Sequence, residues 1–248
     1  MHAVVVVAFC AITLTCVLLS RRFRFSTLRL TIEKTVGWGS LLLFGIINNE
    51  FWLHTERFSA SRSLPLHVCD VTLLLVPAVL VFNWRPARVI LYYFGLGLST
   101  QGFITPDLHE GPSYWPFWSF WMLHFLVVGT SLYDVAARGF RPTWRDLRFA
   151  IIVSLGYVAV LLPIDVVFGW NYGYVGPSKP EQPTLIDVLG PWPWRVPVMV
   201  GMGFLVFTLM TLPWRIAAKR ASAASASPLP PGEGVNATTT PRARRLGP

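Results

Sequence analysis

Residues 2–24 read HAVVVVAFCAITLTCVLLSRRFR, an uncharged apolar run over 2–20 that ends in Arg21, Arg22 and Arg24. A spanning α-helix needs about 20 mostly apolar residues, and this run is long enough. A secretory signal would carry its basic residues before the run and a small-x-small cleavage site after it. Here the arginines follow the run and no such site is present. The stretch therefore reads as an uncleaved span whose N-terminus lies outside, because basic residues stay on the cytoplasmic side.

Outward from it, six further segments meet the same length and apolarity, at roughly 35–54, 66–83, 87–104, 117–135, 149–168 and 194–213. The connections between them alternate in charge. Arg29 and Lys34 join the first three arginines; Arg85 and Arg88 occupy the third connection; Arg138, Arg141, Arg145 and Arg148 fall in the fifth. Arg215, Lys219, Arg220, Arg242, Arg244 and Arg245 follow the last span. The other side has only Arg57, Arg62 and Lys179, with Arg195 at a span edge. The expectation is an all-α, polytopic membrane helix bundle of about seven transmembrane helices, N-terminus outside and C-terminus cytoplasmic, in the plasma (cytoplasmic) membrane.

Composition agrees. Only 13% of residues are charged and 53% are hydrophobic, whereas a soluble domain carries about 25% charge. Eleven Trp and seventeen Phe suit the aromatic belts of membrane interfaces. The net charge of +9 is explained by orientation in the bilayer, so no nucleic-acid partner is expected. One membrane domain over 1–220 accounts for the apolar runs. Residues 221–248, rich in Ala, Ser, Pro and Gly, read as a disordered cytoplasmic tail. The Asn236 sequon falls in that tail, and the aromatic, Pro-rich 169–193 connection reads as a cover over the outer mouth. Three cysteines make no disulfide framework: Cys10 and Cys16 lie inside the first run.

Ionisable residues inside a membrane are costly and mark functional sites. By this topology Asn48, Asn49, Glu50 and His54 close the second span, and His67, Cys69 and Asp70 open the third. Gln101, Thr105 and Asp107 close the fourth, with His109 and Glu110 beyond it; Asp165, Asn171, Tyr172 and Asp187 lie at the end of the sixth. His124 falls two turns into the fifth span, ~10 Å deep. All belong to the outer half, while the inner halves hold almost nothing ionisable. That asymmetry predicts a polar cavity opening outward.

The stretch LPLHVCD (64–70) is the most suggestive. Pro65 suits a first helical turn, which places Cys69 near a helix N-terminus, where the dipole favours a thiolate. His67 is two residues from Cys69 and points away from it on a helix, but three from Asp70, with which it can pair. A base for the thiol must come from another helix, and His124 has the right depth. Cys and His oriented by a carboxylate or amide perform nucleophilic acyl chemistry. The plainer readings are an inert buried thiol for Cys69, an interhelical hydrogen bond for His124, capping for Glu50 and Asp107, and interface anchoring for Tyr172, Trp192 and Trp194. No metal-ligand spacing or phosphate loop occurs, so no metal and no cofactor is expected.

LPLHVCD, GLGLSTQGFITPDL (95–108), FWMLHFLVV (120–128) and GWNYGYV (169–175) with KP (179–180) and TLIDVLGPWPW (184–194) occur in this order. Over about 35–213 the set resembles the YwaF-type bacterial integral membrane proteins, which are similar to the animal transmembrane protein 164 group. The resemblance implies a membrane-embedded acyltransferase that moves a fatty acyl group between phospholipids with a Cys and a His. The Cys matches Cys69 and the His matches His124, although His67 also lies in a shared motif.

Two readings result. In the first, a thiol-dependent lipid acyltransferase or acyl hydrolase takes a lipid or small-molecule substrate from the outer leaflet. Cys69 attacks, His124 carries the proton, and backbone N–H groups opening the third span, with Asn171 or Tyr172, hold the oxyanion. In the second, a transporter or small-ligand-binding membrane protein without covalent chemistry uses Glu50, Asp70, Asp107 and Asp165 as its binding charge. The absence of an inverted repeat weighs against alternating access.

Overall fold

A computed structural model describes residues 2–23, 26–48, 56, 58–106, 108, 111–177 and 185–226. Among the described residues five helices are long and apolar enough to cross a membrane: α1 (His2–Arg22), α2 (Thr27–Ile47), α7 (Trp115–Ala136), α8 (Trp144–Phe168) and α9 (Arg195–Ala226). Their outer faces remain apolar: Val4, Ile12, Ile152 and Val167 are each 60% or more exposed. Apolar residues on every face of a helix suit hydrocarbon surroundings, not water.

The third and fourth expected spans are present as broken helices. The third is α3 (Val68–Leu73) and α4 (Val76–Leu80), with a turn at 74–75. Pro77 has no N–H to continue the ladder, and Leu75 N–H turns back to Thr72 O at 3.0 Å. The fourth is α5 (Arg85–Ile90), a π-helical segment (Leu91–Leu98) and α6 (Gln101–Ile104). Ser99 N–H donates five residues back to Phe94 O at 2.8 Å, closing the wider turn. Gly95 allows that segment to press onto α7, since a Cβ there would land on Ser131 Oγ. Ser131 Oγ in turn lies 2.9 Å from Leu91 O and 2.7 Å from Val127 O, serving carbonyls of both helices.

The starts of α2 and α8 follow local chemistry and lie earlier than apolarity alone suggested. Ser26 caps α2 through Arg29 N–H at 3.2 Å, which draws Arg29, Glu33 and Lys34 into the helix. Thr143 and Asp146 form a reciprocal capping box on α8. Helix α9 runs through 221–226, into the segment expected as tail, and residues 227–248 lie outside the described residues.

At the arginine-rich end, the expectation that these half-spans hold almost nothing ionisable is overturned. Glu33, Asp134 and Asp146 are buried there, at 6%, 3% and 7% exposure. Arg29 Nε donates to Glu33 Oε1 at 2.8 Å, and Tyr133 OH donates to the same oxygen at 2.6 Å. Arg88 Nε contacts both oxygens of Asp134, at 3.1 and 2.8 Å. Arg138 lies 3.7 Å from Asp134 and 3.9 Å from Glu33, and donates to Val79 O and Asn83 Oδ1. Ser20 of α1 reaches Tyr133 OH at 2.6 Å. The loop arginines are thus more than orientation signals: they tie α1, α2, α4, α5 and α7 together at one end. Charges this buried persist because they are paired.

Candidate functional site

Because the third pass begins only at Val68, its first turn lies well inside the bundle. At 1.5 Å per residue, Cys69 stands ~17 Å from the end of α4 at Leu80, and His124 stands ~18 Å from the end of α7 at Ala136. Arg138 joins those two ends by its bond to Val79 O. By helix rise, thiol and imidazole therefore stand at similar distances from that end, and α3 packs against α7.

Their surroundings differ. Cys69 is half-buried, against an apolar cluster that includes Leu73, Leu123 and Val127. His124 is 6% exposed, stacked on Phe120 at 4.1 Å with Phe103 edge-on at 6.3 Å. Its Nδ1 lies 2.8 Å from Phe120 O. A carbonyl only accepts, so this contact places the proton on Nδ1 and leaves a lone pair on Nε2. Nε2 faces Gly102, where a Cβ would come within 2.6 Å of it. Among the described residues no hydrogen bond joins Cys69 to His124. The dipole argument for Cys69 loses force, since α3 has only six residues.

A polar cluster surrounds the entry to α3. His67 caps it, with its ring against Tyr172 at 5.0 Å and Tyr174 at 6.0 Å. That packing replaces the expected His67–Asp70 pair. Tyr172 OH donates to Ala60 O at 2.8 Å and accepts Leu64 N–H at 3.0 Å. Tyr172 N–H donates to Asp165 Oδ1 at 3.1 Å. Asp165 is fully buried, and among the described residues its Oδ2 has no hydrogen-bond partner. Asn171 Oδ1 accepts from Gly176 N–H at 3.1 Å and Arg195 Nη2 at 3.2 Å.

These contacts correct several expectations. Tyr172 is buried at 0% exposure, because its ring and hydroxyl are both used internally, so it is no interface anchor. Its N–H and its hydroxyl proton are both donated to protein acceptors and do not serve an oxyanion. Burial pushes the Tyr172 phenol up to about 12, and Leu64 N–H partly counters this. Gln101 opens α6 half-buried beside Gly102. Glu50 and Asp107, with Asn49, His54, His109 and Glu110, lie outside the described residues.

Two residues escaped the sequence reading. Tyr157 of α8 donates to Leu66 O at 2.6 Å, and its hydroxyl lies within electrostatic reach of Cys69, Asp70 and Asp165. A phenol in the middle of an apolar run, SLGYVAVLL, was the available signal. Arg195, counted as a span-edge charge, is 1% exposed and donates to Gly176 O at 2.7 Å. Beside it lies an apolar hollow of about 320 Å³ lined by Leu162, Val166, Trp192, Pro193, Trp194, Val196 and Pro197.

Residues 1–211 match the model of the TMEM164 family. No curated protein and no solved structure matches the chain.

Proposed function

Because the chain belongs to the TMEM164 family of membrane proteins, we propose that it is a multi-pass enzyme that moves or hydrolyses lipid acyl groups through a thioester on Cys69. Membrane lipids are its partners, and the substrate enters from the outer leaflet of the plasma membrane, with the N-terminus outside.

The Cys69 thiol gives its proton to His124 Nε2, and Sγ adds to the ester carbonyl. The C–O bond of the tetrahedral adduct breaks, and the departing alkoxide takes the proton from His124. A lysolipid hydroxyl, or water, then gives a proton to His124 and attacks the thioester. The C–S bond breaks and the proton returns to sulfur. The N–H groups of Val68 and Cys69, in the first turn of α3, have no acceptor within their own helix and suit the oxyanion.

The observation that carries this reading is the set tautomer of His124, which turns an unbonded Nε2 toward Gly102 from α7, the helix that packs against the α3 of Cys69. The unpartnered Oδ2 of Asp165 favours a second reading, a binding or transport site for a small polar molecule.

The test supplies purified protein in nanodiscs with a phospholipid carrying a fluorescent acyl chain and with lysophospholipid. Transfer or release of the chain and a hydroxylamine-sensitive adduct on Cys69 are expected. Cys69→Ala is expected to fold normally and to lose both. A fully active Cys69→Ala variant would overturn thiol chemistry and leave the binding reading.

A further inference from the structure

The chain from Ala60 to His67 enters the bundle without regular structure and delivers Cys69 within two residues of its end. Such a segment has no ladder of its own, so its backbone groups need outside partners. Three of them are met by two phenols. Tyr172 OH bridges Ala60 O and Leu64 N–H, and Tyr157 OH takes Leu66 O. Both phenols are anchored in turn. Tyr157 stands on α8, and Tyr172 is held through its N–H by Asp165 of the same helix. Leu64, Leu66, Tyr157 and Tyr172 also pack into one apolar cluster with Leu161 and Val196.

We propose that Tyr157 and Tyr172 are positioning residues that fix the 60–67 segment on α8 and thereby set where the Cys69 thiol sits. The assignment deepens the acyl-transfer reading and rests on it only for the thiol. The ionisable groups near the thiol are Asp70 on its own helix and Tyr157 on α8, with His124 on α7, the helix packed against α3. Loss of the Tyr172 hydroxyl would therefore move Cys69 relative to these groups, and loss of the Tyr157 hydroxyl would move it and also remove one of them.

The experiment uses the full chain with Cys10→Ser and Cys16→Ser, so that Cys69 is the one thiol. Tyr157→Phe and Tyr172→Phe are compared with Tyr92→Phe, which also loses a hydroxyl bonded to a backbone carbonyl, Met210 O at 2.9 Å. Hydrogen exchange of peptides covering 64–70 is one readout, and the pH profile of Cys69 alkylation is the other. A lost hydrogen bond of ordinary strength corresponds to about fivefold faster local opening. That increase and a displaced alkylation profile are expected for both clamp variants and for neither readout in Tyr92→Phe. Unchanged exchange, an equal rise in Tyr92→Phe, or faster exchange with an unmoved profile overturns the assignment. Faster exchange in a protein whose wild-type Cys69 forms no acyl adduct upholds the clamp and sinks the thioester alone.

Discussion

Asp134→Ala tests the ion network most sharply. The carboxylate is 4% exposed, and Arg88 Nε contacts both of its oxygens, at 3.1 and 2.8 Å. Arg138 lies 3.7 Å away. Deleting the carboxylate strands one guanidinium that is only 13% exposed and removes one of two anions near the other. Removing one partner of a buried pair costs about 3–5 kcal/mol, mostly the penalty of the charge left behind. Arg85 makes a useful contrast. Its side chain is 54% exposed, and its partner Asp146 keeps Thr143 N–H at 2.8 Å after Arg85 is removed. Arg85→Ala should cost less than about 1 kcal/mol. A third variant, Arg88→Met with Asp134→Leu, removes the pair together and should recover much of the loss, since Arg138 retains Glu33 and Val79 O. Reversible unfolding in mixed micelles, followed by tryptophan fluorescence, measures all three. Equal losses for Asp134→Ala and Arg85→Ala, or no recovery in the double variant, would refute the claim that burial makes this network matter.

Gly102→Ala should lower acyl turnover at least tenfold with little change in stability, because the new Cβ, 2.6 Å from His124 Nε2, must displace the imidazole; undiminished turnover would count against His124 as the proton carrier. The Tyr172 phenol, pushed up to about 12 from an ordinary value near 10, holds its proton in the folded protein over a range where the unfolded chain releases it. Stability should therefore be unaffected by this group below pH ~10 and fall as pH rises from ~10 to ~12. Tyr172→Phe should flatten that alkaline decline in unfolding curves measured across pH.

Much of the architecture was legible in the chain because lipid imposes a simple rule: every spanning helix needs a long apolar run, and the runs around 2–20, 117–135, 149–168 and 194–213 announce themselves. Cys69, His124 and the 169–175 motif were also visible, as polar residues in costly places. Other features depend on partners distant in sequence. Glu33 and Asp134 drew no notice in the sequence, because hydropathy counts charge without asking which arginine will neutralise it. The breaks at 74–75 and 91–98 arise where Pro77 withholds a donor and Gly95 lets Ser131 approach. Tyr157 looked like one more aromatic until the fold carried Leu66 O to its hydroxyl. Sequence alone determined that this is a helical membrane protein and roughly where its helices run, since those follow from local apolarity. Only the tertiary structure decided which charges are paired, which nitrogen of His124 faces Gly102, and which phenols hold the backbone of 60–66, because each depends on groups brought together from separate helices.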